Sequence, residues 1–178
     1  DEVEKVLKEI RKRVEDSLRH LEKVNKEARE IVEKVREELR ESNERLREIV
    51  KTIRDRLEKL KGNDEMLKRL KDELDEALRR HREILDRLRR ELDKVRRRLE
   101  ELHRENKEDN RRVLKKAEED GVEEDVRRTV EELVRRSEKA IEDSRRSIED
   151  LVRRLKEDIE RSLRSVEKLV EELTEAIR

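Results

Sequence analysis

Lys61-Gly62-Asn63-Asp64 and Asp120-Gly121-Val122 are the two stretches that decide how this chain folds. They hold its only two glycines. Gly62 suits the left-handed backbone position just past a helix end, where other residues are strained. Asp64 can then cap the next helix by accepting backbone N–H bonds. Gly121 offers the same reversal, and Val122 can make the apolar contact that accompanies such a stop. Glu123, Glu124 and Asp125 place negative charge where the macrodipole of a following helix favours it. Cut at these points, the chain gives three segments of near-equal length, predicted as helices over 2–61, 64–119 and 123–177. At ~1.5 Å per residue each helix would be roughly 80–90 Å long. Matched lengths let the chain fold back twice, so residues 1–178 are expected to form a single all-α domain. Its predicted fold is a long antiparallel three-helix bundle, nearly straight, with up-down-up topology.

Working outward from the reversals, each segment carries an apolar stripe in steps of three and four, the period of a helix with one buried face. It opens with Val3, Leu7, Ile10 and Val14 and closes the first segment with Leu46, Ile49, Ile53 and Leu57. Leu67, Leu70, Leu74 and Leu78 begin the second, and Val126, Val130 and Leu133 the third. The mean step is about 3.6 residues, which calls for little supercoil. Asn106-Lys107-Glu108-Asp109-Asn110 has poor helix propensity. The stripe keeps its phase across it, so the helix is expected to continue.

Periodicity also decides between order and disorder. Charged residues make up 58% of the chain and aromatics are absent, a composition that can leave a chain unfolded. The hydrophobic 30%, almost all Leu, Val, Ile and Ala, falls at helical spacing instead. Lys plus Arg equals Asp plus Glu at 52 each, and no segment is strongly polarised. A nucleic-acid or anionic-membrane partner would favour a basic face, and neither is expected. No apolar run is long enough to span a membrane, and no secretory leader is expected from the first residues. Without cysteine there is neither a disulfide framework nor a thiolate metal site.

The stripe is interrupted by uncharged polar residues, and folding back at the two glycines aligns them into three layers. The first joins Ser42, His81 and Ser162. The second joins Asn25, His103, Asn106 and Ser137. The third joins Ser17, Asn110 and Thr129. An unsatisfied buried polar group costs roughly 1–3 kcal/mol, and matched heights would let these groups satisfy one another. Such networks can fix register; the alternative is that the residues sit at the watery edge of the stripe. His20 falls off the central line and is expected to be exposed.

With these layers, the short glycine turns, blocks such as Arg153-Arg154 and Glu131-Glu132, and no Pro, Cys or aromatic residue, the whole chain resembles de novo designed helical bundles with buried hydrogen-bond networks. The resemblance implies a scaffold or oligomer component, soluble and made recombinantly in the bacterial cytoplasm, with its location otherwise unspecified.

Chemistry is sparse. Glu100 and His103 match the Glu-x-x-His spacing of di-metal bundles, which needs a second such motif and further core carboxylates; neither His20 nor His81 has a Glu three residues before it. No phosphate-binding glycine loop exists, and no aromatic platform for single-stranded nucleic acid. No cofactor, metal or catalytic residue is expected. Two functions compete: a structural scaffold that needs no partner, and an interaction component that self-associates or accepts a partner helix. The second draws on a third helix widened by Val134, Ala140, Val152, Leu163, Val170 and Ala176. If His81 and His103 are buried as neutral imidazoles, acid should charge them at a cost and weaken folding below about pH 5–6.

Overall fold

The computed structural model describes residues 2–177. They form three α-helices, α1 (Glu2–Lys59), α2 (Asp64–Glu119) and α3 (Glu124–Ile177), and no strand among the described residues. The fold is an all-α, antiparallel three-helix bundle. The helices stop where glycine allows the backbone to turn. Gly62 has φ +91° and Gly121 φ +60°, and no described non-glycine residue has positive φ.

Both reversals differ in detail from the sequence reading. α1 ends at Lys59, two residues early, because the chain tightens there: Asn63 N–H donates to the Leu60 carbonyl at 3.0 Å, a three-residue span. The cap of α2 is Asn63 rather than Asp64. Its carbonyl takes the first helical bond, from Leu67 N–H at 3.0 Å, and its side-chain Oδ1 accepts from Met66 N–H at 3.4 Å. That is the geometry of an N-cap residue, and it moves Asp64 into the first turn, where its charge still meets the macrodipole. At the second reversal Gly121 N–H bonds the Glu118 carbonyl at 3.2 Å, and Glu123 stands just outside α3, its carbonyl accepting from Arg127 N–H. The weak stretch 106–110 is helical throughout.

The contacts group into two compact units. One comprises Asp1–Glu30 and Lys94–Leu151, the other Ile31–Asp93 and Val152–Arg178. Each draws on all three helices. The first contains the Gly121 reversal, next to a cluster of Ile10, Val113, Ala117, Val130 and Val134; Val122 packs on it as expected. The second contains the Gly62 reversal and a cluster of Leu46, Val50, Ile53, Leu70, Leu74, Leu78, Val166 and Leu173. Each buried Leu, Ile or Val contributes about 1.5–3 kcal/mol relative to exposure. The stripe is shifted in places. Ile49 is 38% exposed, while Val50 and Val24 lie in the core.

Outside the core the helices carry ion pairs at i,i+4 spacing, such as Arg80 to Glu76 at 3.2 Å and Arg79 to Glu83 at 3.7 Å. Others bridge helices, such as Arg87 to Glu38 at 2.9 Å and Lys116 to Glu9 at 3.4 Å. Exposed pairs contribute little to stability, so the fold rests on the core and the two turns.

A Cβ built on either glycine meets nothing within 4 Å, so any cost of substitution is backbone strain. Gly62→Ala and Gly121→Ala should each lose about 1 kcal/mol, and Gly121→Asn less, because Asn tolerates this region. Urea unfolding midpoints will check the order.

Candidate functional site

The most developed polar arrangement lies in the second unit, where α1, α2 and α3 each contribute one residue of the first expected layer. Ser42 is buried on α1 and His81 on α2, and Ser162 is half-buried on α3. Ser42 Oγ lies 2.6 Å from His81 Nδ1, and His81 Nε2 lies 3.1 Å from Ser162 Oγ. Ser162 in turn donates its hydroxyl proton to Asn43 Oδ1 at 2.6 Å.

These bonds fix where the protons sit. Ser162 has one hydroxyl proton, and it goes to Asn43. The Ser162 oxygen must therefore accept from His81, which places the imidazole proton on Nε2. A neutral imidazole has one donor and one acceptor, so Nδ1 accepts from Ser42. Each hydroxyl and ring nitrogen has a partner, which is the condition for a buried polar group to be tolerated. Burial pushes the His81 imidazole below its ordinary value of 6.5, because the charged form loses water. Arg45, Glu73, Glu76 and Arg80 line a groove of about 400 Å³ over Ser42 and His81 with Ile49 and Ile84, and Arg36, Arg40, Arg47, Asp158 and Arg161 line another beside Asn43 and Ser162.

The second and third expected layers are redistributed in the first unit. Asn106 Nδ2 donates to Ser17 Oγ at 3.1 Å, and Ser137 Oγ donates to Asn106 Oδ1 at 3.5 Å. Ser17 thus meets Asn106 rather than Asn110, one helical turn away from the expected pairing. Asn110 is buried with its Nδ2 unpartnered, and the Asn25 Oδ1 is buried and unpartnered too. Thr129 turns its hydroxyl back to the Asp125 carbonyl at 3.1 Å, within its own helix. This is a common use of Thr inside helices, and it keeps Thr129 out of any layer. His103 is half-buried and lines the α2–α3 groove, its ring without a hydrogen-bond partner, and His20 is exposed.

Two participants escaped the sequence reading. Asn43 accepts the last proton of the first layer although it falls one residue off the apolar line. Its signal was chemical: an uncharged amide beside Ser42 in a chain where most polar residues are charged. Ser144 on α3 has a buried, unpartnered Oγ. The α1–α3 contacts of Arg29 with Ser147 and of Asn43 with Ser162 place Ser144 level with Asn25. Among the described residues no group of three or more His, Asp or Glu converges as a metal site, and no helix is long and apolar enough to cross a membrane.

The lowered His81 value has a definite sign. The unfolded chain takes up the His81 proton at higher pH than the folded chain does. The stability due to a neutral His81 is thus complete above pH 6.5, falls as pH drops through 6.5 towards the folded value, and levels off below it. Chemical denaturation through this window should give a slope that His81→Leu reduces, and ring ¹⁵N shifts at neutral pH should place the proton on Nε2.

No protein-family model matches the sequence, and no curated protein does. Among solved structures the chain is similar to a computationally designed three-helix bundle, at 18% identity over 99% of this chain and 92% of that chain, with a TM-score of 0.62. At that identity the likeness is one of architecture, and it agrees with the helix order and antiparallel packing described above: the chain has the three-helix-bundle fold.

Proposed function

We propose that this chain is a designed structural scaffold without catalytic activity, in which polar core layers set the register of the helices. The observation that carries this reading is the Ser42–His81–Ser162–Asn43 chain, in which residues of three helices satisfy one another at a single height. Apolar side chains of similar size pack at several offsets along a helix, but a donor meets its acceptor at only one. A network of this kind penalises every other register through unsatisfied polar groups. The resemblance of the sequence to designed bundles, and the likeness in fold to one such bundle, support the same reading.

A serine beside an imidazole also invites comparison with a nucleophile and its base. The surroundings argue against it. Ser42 sits within α1, where backbone N–H groups are committed to the helix, so the backbone offers no donors for an oxyanion. The outer imidazole nitrogen faces a hydroxyl that donates to a neutral amide, with no carboxylate behind it to stabilise an imidazolium.

A second reading, a component that self-associates or accepts a partner helix, has one observation in its favour. Ile31, Ile49 and Met66 are large apolar residues exposed at 39%, 38% and 40%. Against it, Val134 and Val152, part of the widened stripe on α3, lie in the core and are not offered outward. The scaffold reading expects a solution mass of one chain, 21.9 kDa, across the micromolar range by sedimentation equilibrium; a rising mass would favour the second.

Register control has its own test. Ser162→Ala alone should cost about 1–3 kcal/mol, because it leaves the His81 Nε2 proton without an acceptor. Replacing the layer together, with Ser42→Ala, His81→Leu and Ser162→Ala, should restore or raise stability while broadening the amide NMR spectrum as alternative registers become populated. A triple variant with one sharp set of resonances would refute register control.

A further inference from the structure

Asp120 is the only aspartate in the chain that glycine follows. An aspartyl side chain carries a carbonyl carbon that the next residue's backbone nitrogen can reach, closing a five-membered ring. A side chain on that next residue crowds the closure, and glycine has none. Helical backbone also opposes it, because the nitrogen is held by its bond to the carbonyl four residues before. Asp16 and Asp143 precede serine, a small residue, but both lie within helices.

Asp120 stands just past the end of α2 at Glu119, and both Asp120 and Gly121 are exposed. Gly121 N–H bonds the Glu118 carbonyl at 3.2 Å. This is a terminal, three-residue bond at the surface, of the kind that opens readily at a fraying helix end. A Cβ built on Gly121 meets nothing within 4 Å, so no neighbour obstructs movement there. The Asp120 carboxylate has no hydrogen bond or ion pair among the described residues. It faces the negative end of the α2 macrodipole, which repels a carboxylate rather than fixing it. The Gly62 reversal lacks this chemistry. Lys61 precedes its glycine, and Asn63 is followed by Asp64 and has its Oδ1 engaged by Met66 N–H.

We propose that Asp120 is a site of spontaneous backbone modification, converting to isoaspartate through attack by the Gly121 nitrogen on its side-chain carbonyl carbon. The nitrogen bonds to Cγ of the protonated acid and gives up its proton. The Cγ–hydroxyl bond breaks, and one water leaves. Water then adds to the ring at the former main-chain carbonyl and breaks that carbon's bond to nitrogen. The chain now runs through Cβ and Cγ, and the α-carboxyl is free. Composition and charge are unchanged, but the main chain is one atom longer at the reversal. Val122, which packs against the cluster of Ile10, Val113, Ala117, Val130 and Val134, follows directly, so the first unit loosens there. The assignment does not depend on the scaffold reading.

The test ages the full chain in mildly acidic, heavy-oxygen water, beside a free peptide of residues 117–127, and then digests it with trypsin in ordinary water. A second form of the 117–127 peptide should appear, separable by chromatography and carrying one heavy oxygen, with fragmentation placing the β-linkage at Asp120. Asp125, inside α3 on the same peptide, should stay unconverted. The folded chain should convert within about tenfold of the free peptide's rate, whereas reaction confined to unfolded chains would be roughly a thousandfold slower or more. Asp120→Asn, which loses ammonia instead of water, should react faster by at least about tenfold, the equivalent of a modestly lower barrier. Asp120→Glu, which would need a six-membered ring, should give no converted peptide. Circular dichroism melts will establish that each variant is folded. A folded chain that converts about a thousandfold more slowly than the free peptide, conversion at Asp125 instead, or undiminished conversion in Asp120→Glu would overturn the proposal.

Discussion

Three helices that each present a narrow apolar stripe are stable only if every stripe faces the other two at once. More than half of the residues are charged, and these cannot enter the interior without large desolvation costs. The interior is therefore thin and made of Leu, Val and Ile at helical spacing, with Leu85, Leu88 and Leu92 among the fully enclosed side chains. This constraint explains why the turns matter. Gly62 and Gly121 are the points at which the chain can reverse without a strained side chain, and their spacing sets which residues of successive helices meet.

A thin apolar core has a weakness of its own. Leu and Val grip by shape, and neighbouring turns of such helices look alike, so sliding by a turn costs little in apolar contact. Polar atoms do not tolerate sliding, because a hydrogen bond is lost within a fraction of an ångström of misplacement. The two units meet this differently. In the second, Ser42, His81, Ser162 and Asn43 are mutually satisfied. In the first, Ser17, Asn106 and Ser137 bond one another, but Asn25, Asn110 and Ser144 each keep a buried atom without a partner. The first unit thus holds polar groups beyond what its own packing satisfies.

How much of this could be read beforehand follows from the range of each signal. Helix positions, the two reversals and the Ser42–His81–Ser162 layer were legible, because hydrophobic periodicity and loop position fix heights to within about a turn. What failed lies below that resolution. Folding back at the glycines sets Ser17 level with Asn110, yet it bonds Asn106, a single turn away. Asn63 took the capping role expected of Asp64, since the choice between adjacent residues depends on where the backbone first turns helical. Thr129 had an acceptor in its own helix, which no consideration of height could reveal. Ile49 and Val50 exchanged places because two neighbouring apolar residues leave the stripe's phase ambiguous. Asn43 was hidden by lying off the line on which the other polar residues were found.

That last residue changes the nature of the His81 layer. Asn43 adjoins Ser42, so the path of bonds leaves α1, crosses α2 and α3, and returns to α1 one residue from its origin. It is a closed hoop, whereas the Ser17–Asn106–Ser137 path is open at both ends. Drawing any one helix of a hoop along its axis severs two links, while drawing an outer member of an open path severs one. The three helices are therefore pinned from both sides at His81 and only strung together at Asn106.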